Sequence, residues 1–380
     1  MSTLYIHIGT PKTGTTSIQH FMSINADALK MQGAIYPDLG KKEYLVSAQR
    51  NGHWLCNVHT DPLMLTEQLS YINELSYDYD KIILSDEGIW NYSARRPAFW
   101  KNVIRAIEQY NYDLKVIVYL RRQDEYAYSH YVQQVQTRRD YNYTLSEYLS
   151  SCLKGKKNFT DYDAYLTRLS SVIGKDHVIV RPYERSEFKN GSIISDFLEV
   201  LGLTLTDDFA KARLKNNPSI VDVLVEAKRC LNSVPLYQNK GRGISKWLYD
   251  VQSELKDEGL LHNRTGFTKS NRASFLAHYT QGNQHVAREY LGREDGRLFL
   301  HEEISDDDEP AQFDPKELER IYDALYVYNA NRKKPLIPPD TWRQILDAAM
   351  QTHLDEQQNK FVKFFRENVK RMKRHLGHTS

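Results

Sequence analysis

Apolar residues in this chain fall into short unbroken runs separated by longer stretches with helical spacing. The runs Leu4-Tyr5-Ile6-His7-Ile8, Lys81-Ile82-Ile83-Leu84-Ser85, Leu114 to Leu120 and His177-Val178-Ile179-Val180-Arg181 read as strands, the third being the strongest. Consecutive aliphatics without alternation mark strands buried on both faces, as in parallel sheets. Between them, Ile18, Phe21, Met22 and Leu29 recur at helical spacing and predict a helix over Ser17–Leu29. Gly33 and Pro37 close that first unit. Further helices are predicted over Asp61–Leu75, Pro97–Tyr110, Glu125–Thr137 and Asp161–Val172, with a polar stretch over Lys41–Asp61. This strand–helix rhythm predicts an α/β fold with a central, mostly parallel sheet and right-handed crossovers. From Ile193 onward the pattern turns helical: Ile193–Leu201, Ser219–Leu231, Lys316–Ala330, Pro339–His353 and Glu356–Leu376. Two domains are expected, an α/β domain over 1–305 and a helical C-terminal extension over 306–380.

In parallel sheets, ligands sit beyond the C-terminal strand edges. Four strand ends here carry titratable or phosphate-binding groups: Gly9 to Ser17, Asp86-Glu87, Arg121-Arg122 and Arg181. The first is the most informative. A strand runs into Gly9-Thr10-Pro11-Lys12-Thr13-Gly14-Thr15-Thr16-Ser17 and then into a helix. Backbone N–H groups of such a turn point inward, and the helix dipole adds its positive end. Gly9 and Gly14 match the two glycines of the Walker A pattern, and Thr16 its Ser/Thr. Thr15 takes the lysine position, while the lysine stands inside the loop at Lys12. A nucleoside triphosphatase needs its lysine on the β- and γ-phosphates. A mid-loop lysine serves a shorter group, close to the atom being transferred. The pattern is thus a P-loop-type three-layer fold with altered chemistry. The plain alternative is an ordinary βα turn with a surface lysine.

The strongest strand ends at Arg121, and Ser129 follows eight residues on, within the next helix. An Arg fork and a helical hydroxyl can converge on one phosphate. Arg121 alone would otherwise read as a surface ion pair.

Composition narrows the classes. The 380 residues are 41% hydrophobic and 26% charged, which suits a globular chain with one large core or two smaller ones. A formal net charge of +2 provides no basic field for nucleic acid, so no nucleic-acid partner is expected. The 26 tyrosines outnumber the 13 Phe and 5 Trp together, which suits either a sugar-binding cleft or simple core packing. Three scattered cysteines, Cys56, Cys152 and Cys230, suggest neither a disulfide framework nor zinc. No signal peptide or transmembrane run is read at the start or elsewhere, so a cytoplasmic location is expected. The acidic Asp306-Asp307-Asp308-Glu309-Pro310 reads as an exposed loop, and no metal is expected. The last helix combines Phe361, Phe364 and Phe365 with Lys370, Arg371, Lys373 and Arg374. It can dock on the body, pair with another subunit or lie on an anionic membrane surface; the oligomeric state is not legible.

The Pro11-Lys12-Thr13-Gly14-Thr15-Thr16 string resembles the 5′-phosphosulfate loop of sulfotransferases that use 3′-phosphoadenosine 5′-phosphosulfate (PAPS). The segment Val116 to Ser129 resembles their 3′-phosphate site, an Arg-x7-Ser arrangement, although Arg121-Arg122-Gln123 stands where the family often has Arg-Asp-Pro. Arg122 can share the phosphate or pair with Asp124 or Glu125. Arg181-Pro182-Tyr183-Glu184 with Ile194 to Leu198 resembles the strand and helix that close the family's core, and Asn216-Asn217-Pro218-Ser219 resembles a segment of bacterial glycan sulfotransferases; the chain as a whole is most similar to bacterial glycan and heparan-type members. The resemblance implies sulfuryl transfer from PAPS to a hydroxyl, or an amine, of a glycan or glycolipid acceptor by in-line displacement. It implies PAPS contacts from Pro11, Lys12, Thr13, Gly14, Thr15, Thr16, Ser17, Arg121 and Ser129, and charge stabilisation by Lys12. For the base, Glu87 follows a strand directly and faces the loop's edge, as in heparan-type relatives; its other reading is a helix cap or ion pair. His53 is the second candidate, by its pKa range and because some relatives use histidine. His7, on a buried strand, reads as structural. A P-loop nucleotide kinase and a non-catalytic nucleotide- or glycan-binding protein are the competing readings; Asp86 is the nearest residue to a Walker B aspartate.

Overall fold

The computed structural model describes residues 2–38, 53, 62–96, 98–108, 110, 112–154, 158–210, 220–240, 244–257, 261, 267–301 and 313–376; the side chains of 62–68, 239–240 and 360–376 are outside the description. Five strands, β1 (Ser2–His7), β2 (Ala34–Ile35), β3 (Lys81–Ser85), β4 (Tyr112–Leu120) and β5 (Val178–Pro182), form one sheet in the order β2-β3-β1-β4-β5. Every neighbouring pair is parallel. The chain leaves β1 toward β2 on one side and leaves β4 toward β5 on the other. The ends of β1 and β4 therefore flank the point where the winding direction reverses, which is where such sheets open a crevice.

Alternation along the strands divides the core into two layers. Leu4, Ile6, Ile82, Leu84, Val116, Val118 and Leu120 face one way, packed with Trp90, Phe99, Trp100, Leu166 and Leu169 from helices Gly88–Arg95, Ala98–Ile107 and Tyr162–Ile173. Ile83, Ile117 and Tyr119 face the other way, against Ile18, Phe21, Met22, Phe197 and Leu198 of helices Thr15–Ile24 and Ile193–Val200. Each such burial contributes on the order of 1.5–3 kcal/mol. The result is the expected three-layer α/β arrangement.

Local chemistry accounts for the departures. The helix expected over Ser17–Leu29 is two, Thr15–Ile24 and Ala26–Met31. Between them Asn25 turns its amide to Phe21 O (2.9 Å) and Ala210 O (3.2 Å), competing with the helical ladder. Helix Gly88–Arg95 was concealed by its glycine start; Asp86 Oδ1 opens it by accepting from Gly88 N (2.8 Å). The two terminal helices are one, Pro339–Leu376, since no glycine or proline interrupts them. β2 adds two residues beside β3 that no apolar run announced. Asn216 to Ser219, the Asp306–Pro310 loop, Cys56 and the Asn51-Gly52 and Trp54 turn positions lie outside the described residues, as do the side chains of the basic C-terminal segment.

The chain divides into two compact units. The first comprises Met1–His130, Leu149–Asn216 and Arg272–Ile304, and holds the sheet. The second takes Tyr131–Tyr148, Asn217–Asn271 and Ser305–Ser380. One switch between units falls beside the expected boundary at 305, but the second unit also draws on two earlier stretches. It is helical in its described residues. Helix Asp222–Asn232 packs there with Pro315–Ala330 and the long terminal helix. Buried Lys228 donates to Val135 O (3.2 Å), Arg138 O (3.1 Å) and Asn232 Oδ1, closing the carbonyl end of helix Gln123–Thr137. Tyr131, Tyr141 and Tyr148 are buried, with Tyr131 in ring contact with the other two, so these three are packing, whereas Tyr143 is exposed. Among the described residues no helix is long and apolar enough to cross a membrane.

Candidate functional site

The loop after β1 stays stitched to β4. Ile8 N donates to Ile117 O (3.0 Å), and both Thr10 N (3.3 Å) and Thr10 Oγ1 (2.9 Å) donate to Tyr119 O. The loop then folds back, with Thr13 Oγ1 donating to Thr10 O. Gly14 (φ +73°) opens helix Thr15–Ile24 in the left-handed region, and its carbonyl accepts from Ser17 N and Ile18 N. By the general rule for helix starts, the first-turn N–H groups ahead of these have no intrahelical partner and point at whatever lies above. A side chain at Gly9 would stand 2.9 Å from Thr15 Oγ1 and 3.3 Å from His7 Nε2. Glycine therefore leaves a cradle lined by polar atoms.

Thr15 Oγ1 is buried and has no hydrogen-bond partner. A buried hydroxyl without a partner costs about 1–3 kcal/mol, a cost that an anion oxygen would offset. Pro11 and Thr13 are also buried, while Lys12 and Thr16 are exposed and Ser17 is half-buried. Lys12 sits at φ +73°, a conformation that L-residues avoid at a cost of about 1–2 kcal/mol. Such strain is characteristic of loops that aim a side chain or carbonyl at a ligand.

Arg121 stands beside this loop. Its Nη1 donates to the carbonyl of Lys12 (3.4 Å), and its own carbonyl accepts from Tyr162 Oη (2.5 Å). Its Nε donates to Glu125 (2.9 Å). Glu125 and Ser129 are four residues apart on one face of helix Gln123–Thr137, and Arg121 stands just ahead of that helix. Ser129 is half-buried on that face. A phosphate held by Arg121 and Ser129 competes with Glu125 for the guanidinium. Tyr183 lies between the two anion-binding elements. Its ring would touch a Gly14 Cβ at 3.4 Å, and the Arg121 guanidinium lies 6.0 Å from the ring centre. From the sequence, Tyr183 stood only in a segment of family resemblance, with no role of its own.

Other strand-end groups serve the scaffold. Arg122 forms a fork with buried Asp124 (2.8 and 3.0 Å), which also accepts from Arg272 (3.2 Å). That resolves the role of the second arginine in favour of ion pairing. Arg181 is paired with buried Asp196, which also accepts from Tyr119 Oη (2.7 Å). Asp86 is buried and accepts from Gly88 N.

The two candidate bases differ sharply. Asp86 N donates to His7 O (2.9 Å), so Glu87, the next residue, leaves the sheet edge directly beside β1 and the loop. Glu87 is half-buried and stands at the N-cap position without making a side-chain cap bond. His53 Nδ1 accepts from Ser85 N (2.9 Å), and its Nε2 donates to Pro37 O (2.7 Å). Both ring nitrogens are thus committed to backbone, and burial pulls its pKa down to about 4. A histidine so placed is a staple between Pro37 and β3. His7 is likewise buried, with Nδ1 on Ser85 Oγ (2.9 Å), and burial lowers its pKa to about 3.

No family model matches the chain. An uncharacterized protein from Archaeoglobus fulgidus is 27% identical over 215 residues, which is 56% of this chain and 55% of that protein. The chain thus matches about half the length of that relative. A solved sulfotransferase structure from Alicyclobacillus acidocaldarius is similar over 65% of this chain and 98% of its own, at a TM-score of 0.37 and 16% identity. Neither likeness assigns a ligand or a substrate.

Proposed function

We propose that this protein is a sulfotransferase that moves a sulfuryl group from PAPS to a hydroxyl, or an amine, of a carbohydrate acceptor. The observation that carries the reading is the meeting of two anion-binding elements at the reversal point of the sheet, with Arg121 bonded to the carbonyl of Lys12. A donor with phosphate groups at both the 5′ and 3′ ends of one nucleoside needs two such elements side by side. The cradle over Gly9 and the buried, unpartnered Thr15 hydroxyl fit an anion there. PAPS supplies an activated sulfuryl group on a good leaving phosphate.

The chain's own residues then divide the work. Pro11, Thr13, Gly14, Thr15, Thr16 and Ser17 shape the loop and present its N–H and hydroxyl donors. Lys12, exposed at the middle of the loop, stabilises charge building on the bridging oxygen and the transferred group. Arg121 and Ser129 hold the 3′-phosphate once Glu125 yields. Glu87, half-buried beside β1 and the loop, takes the acceptor's proton, while both ring nitrogens of His53 are bonded to backbone. A glycan or glycolipid is the acceptor class, and cytoplasmic residence remains part of the proposal.

Thermal denaturation with adenosine 3′,5′-bisphosphate or ATP tests the reading, since a ligand raises the melting temperature by mass action. The bisphosphate should stabilise the wild-type protein, and Arg121→Ala should abolish the effect. Stabilisation by ATP alone would favour the kinase reading. Bisphosphate binding without transfer of labelled sulfate to any glycan in a broad acceptor panel would favour the non-catalytic reading.

A further inference from the structure

Within the second unit, three side chains of different donor type crowd one point. Glu226 and Cys230 stand four residues apart on helix Asp222–Asn232, the spacing that stacks side chains on one face, and His353 comes from the terminal helix Pro339–Leu376. One ligand atom from each lies within 4.8 Å of the other two. His353 Nδ1 (3.1 Å) and Cys230 Sγ (3.7 Å) both direct their hydrogens at the same carboxylate oxygen, Glu226 Oε1. Those separations match the edges of a small tetrahedron, since bonds of about 2.0–2.3 Å to a central zinc ion put ligand atoms about 3.3–3.7 Å apart. Cys230 and His353 are buried, and Glu226 keeps 15% of its side chain exposed, which leaves a way in. Around them, Arg229 donates to Glu226 Oε1 (2.8 Å), Cys230 Sγ (3.5 Å) and Glu356 (2.6 Å), and the buried Tyr322 phenol donates to Ala227 O (3.2 Å).

We propose that Glu226, Cys230 and His353 bind a divalent cation of the zinc class. A carboxylate, an imidazole and a thiol together form the mixed oxygen, nitrogen and sulfur set that suits zinc, whereas magnesium and calcium take oxygen. The cation takes the place of the two hydrogens aimed at Glu226 Oε1, and a water completes the tetrahedron. As the sulfur–metal bond forms, the thiol proton leaves to solvent. Burial keeps that thiol protonated without metal, but a coordinating thiol is deprotonated outright. A neutral imidazole that ligates through Nδ1 carries its proton on Nε2. Gln357 already lies against His353 Nε2 (2.8 Å), and its amide, turned over, presents an oxygen to that proton, the outer contact that fixes a ligating histidine. Charge favours the exchange. With the imidazole neutral, Arg229 between Glu226 and Glu356 leaves one net negative charge, and a dication that displaces one proton cancels it. The bound metal ties helix Asp222–Asn232 to the terminal helix, a structural role that stands apart from sulfuryl transfer. The scatter of cysteines in the sequence concealed the site because only one of its ligands is a cysteine.

Titration of the full-length protein, stripped of metal by a chelator, with cobalt(II) tests this. Cobalt substitutes for zinc, and its bond to a thiolate gives a sulfur-to-metal absorption band in the near-ultraviolet. One equivalent should bind and raise the band, and zinc should then displace it, as the order of divalent affinities requires. Cys230→Ser should abolish the band. His353→Gln, which keeps a donor toward Glu226, should weaken binding at least about tenfold, the least that losing even an outer contact costs such sites. Zinc should also raise the melting temperature of the wild type by mass action and leave that of Cys230→Ser unchanged. Circular dichroism of the metal-free variants checks that they fold. A folded wild type that takes up no equivalent of cobalt, or binds it without the band, would overturn the proposal with no variant needed. A band that survives Cys230→Ser would do the same. Binding of adenosine 3′,5′-bisphosphate by the wild type is expected with or without zinc; its absence would count against the function proposed above and leave the metal site standing.

Discussion

The two units differ in how completely their buried polar groups are paired. In the second, Arg229 is buried and its guanidinium forks onto Glu226 (2.8 and 2.8 Å) and Glu356 (3.0 and 2.6 Å). His353 Nδ1 donates to Glu226 (3.1 Å), and Gln357 Nε2 donates to both His353 Nε2 (2.8 Å) and Phe313 O (3.0 Å). Burial alone would raise the Glu226 pKa, but the Arg229 and His353 donors hold it well below the usual carboxylate range. The first unit also pairs buried carboxylates, Asp124 with Arg122 and Arg272 and Asp196 with Arg181, but leaves other buried polar atoms open. Among the described residues, the buried side-chain atoms without a partner are His7 Nε2, Thr15 Oγ1, Asn91 Oδ1, Tyr112 Oη, Tyr126 Oη and Glu187 Oε1, and all belong to that unit. His7 and Thr15 converge at the loop. Paired buried charges hold helices together, while the unpaired polar atoms beside Gly9 suit a site that a bound anion completes.

The contrast can be broken at several points. Arg229→Met strips the counter-charge from two carboxylates and should cost about 3–5 kcal/mol of stability, read by urea unfolding. A loss below about 1 kcal/mol would make the network an exposed-type pair rather than a buried one. Lys12→Ala should cut sulfuryl transfer by about 10²–10³-fold with no fall in melting temperature; a fall in stability without loss of transfer would make Lys12 part of the scaffold.

Protonation offers a third route. His7 and His53 are held neutral, with folded pKa values of about 3 and about 4 against an ordinary 6.5. The unfolded chain therefore binds more protons below pH 6.5. Stability is full above that value and should fall on acidification by about 1.4 kcal/mol per pH unit for each histidine, until the folded pKa is reached. His53→Gln should flatten the slope between pH 6.5 and pH 4, as measured by denaturant midpoints; an unaltered slope would refute the staple assigned to that ring.

Smaller effects sharpen the picture at the loop. Lys12→Gly removes the left-handed strain and should add about 1 kcal/mol of stability while transfer is lost, a trade between function and folding visible in one variant. Glu125→Gln frees Arg121 and should tighten bisphosphate binding by at most about fivefold, the scale of a partly exposed ion pair. Weaker binding would show that Glu125 orients the arginine instead of competing for it.

Much of this was legible along the chain. Unbroken aliphatic runs placed β1, β3, β4 and β5, because strands covered on both faces need apolar residues at every position. The loop and the Arg121–Ser129 spacing were legible because close-range backbone geometry ties neighbours in sequence to neighbours in space. β2 was not, being two residues long, and neither was the helix that starts at Gly88. The roles of Arg122, Arg181 and His53 were equally hidden. Each depends on a partner from another element: Asp124 with Arg272, Asp196, or the backbone of Pro37 and Ser85.

The sequence by itself determined the parallel α/β layering, the glycines and lysine of the first loop, and the spacing of the arginine that ends β4 from the serine in the helix after it. Those features follow from local periodicity and backbone conformation. Tertiary structure alone decided which charged side chains pair with one another, as Arg122 with Asp124 and Arg181 with Asp196. Ion pairing and burial depend on distances across the fold, and residue spacing does not encode them.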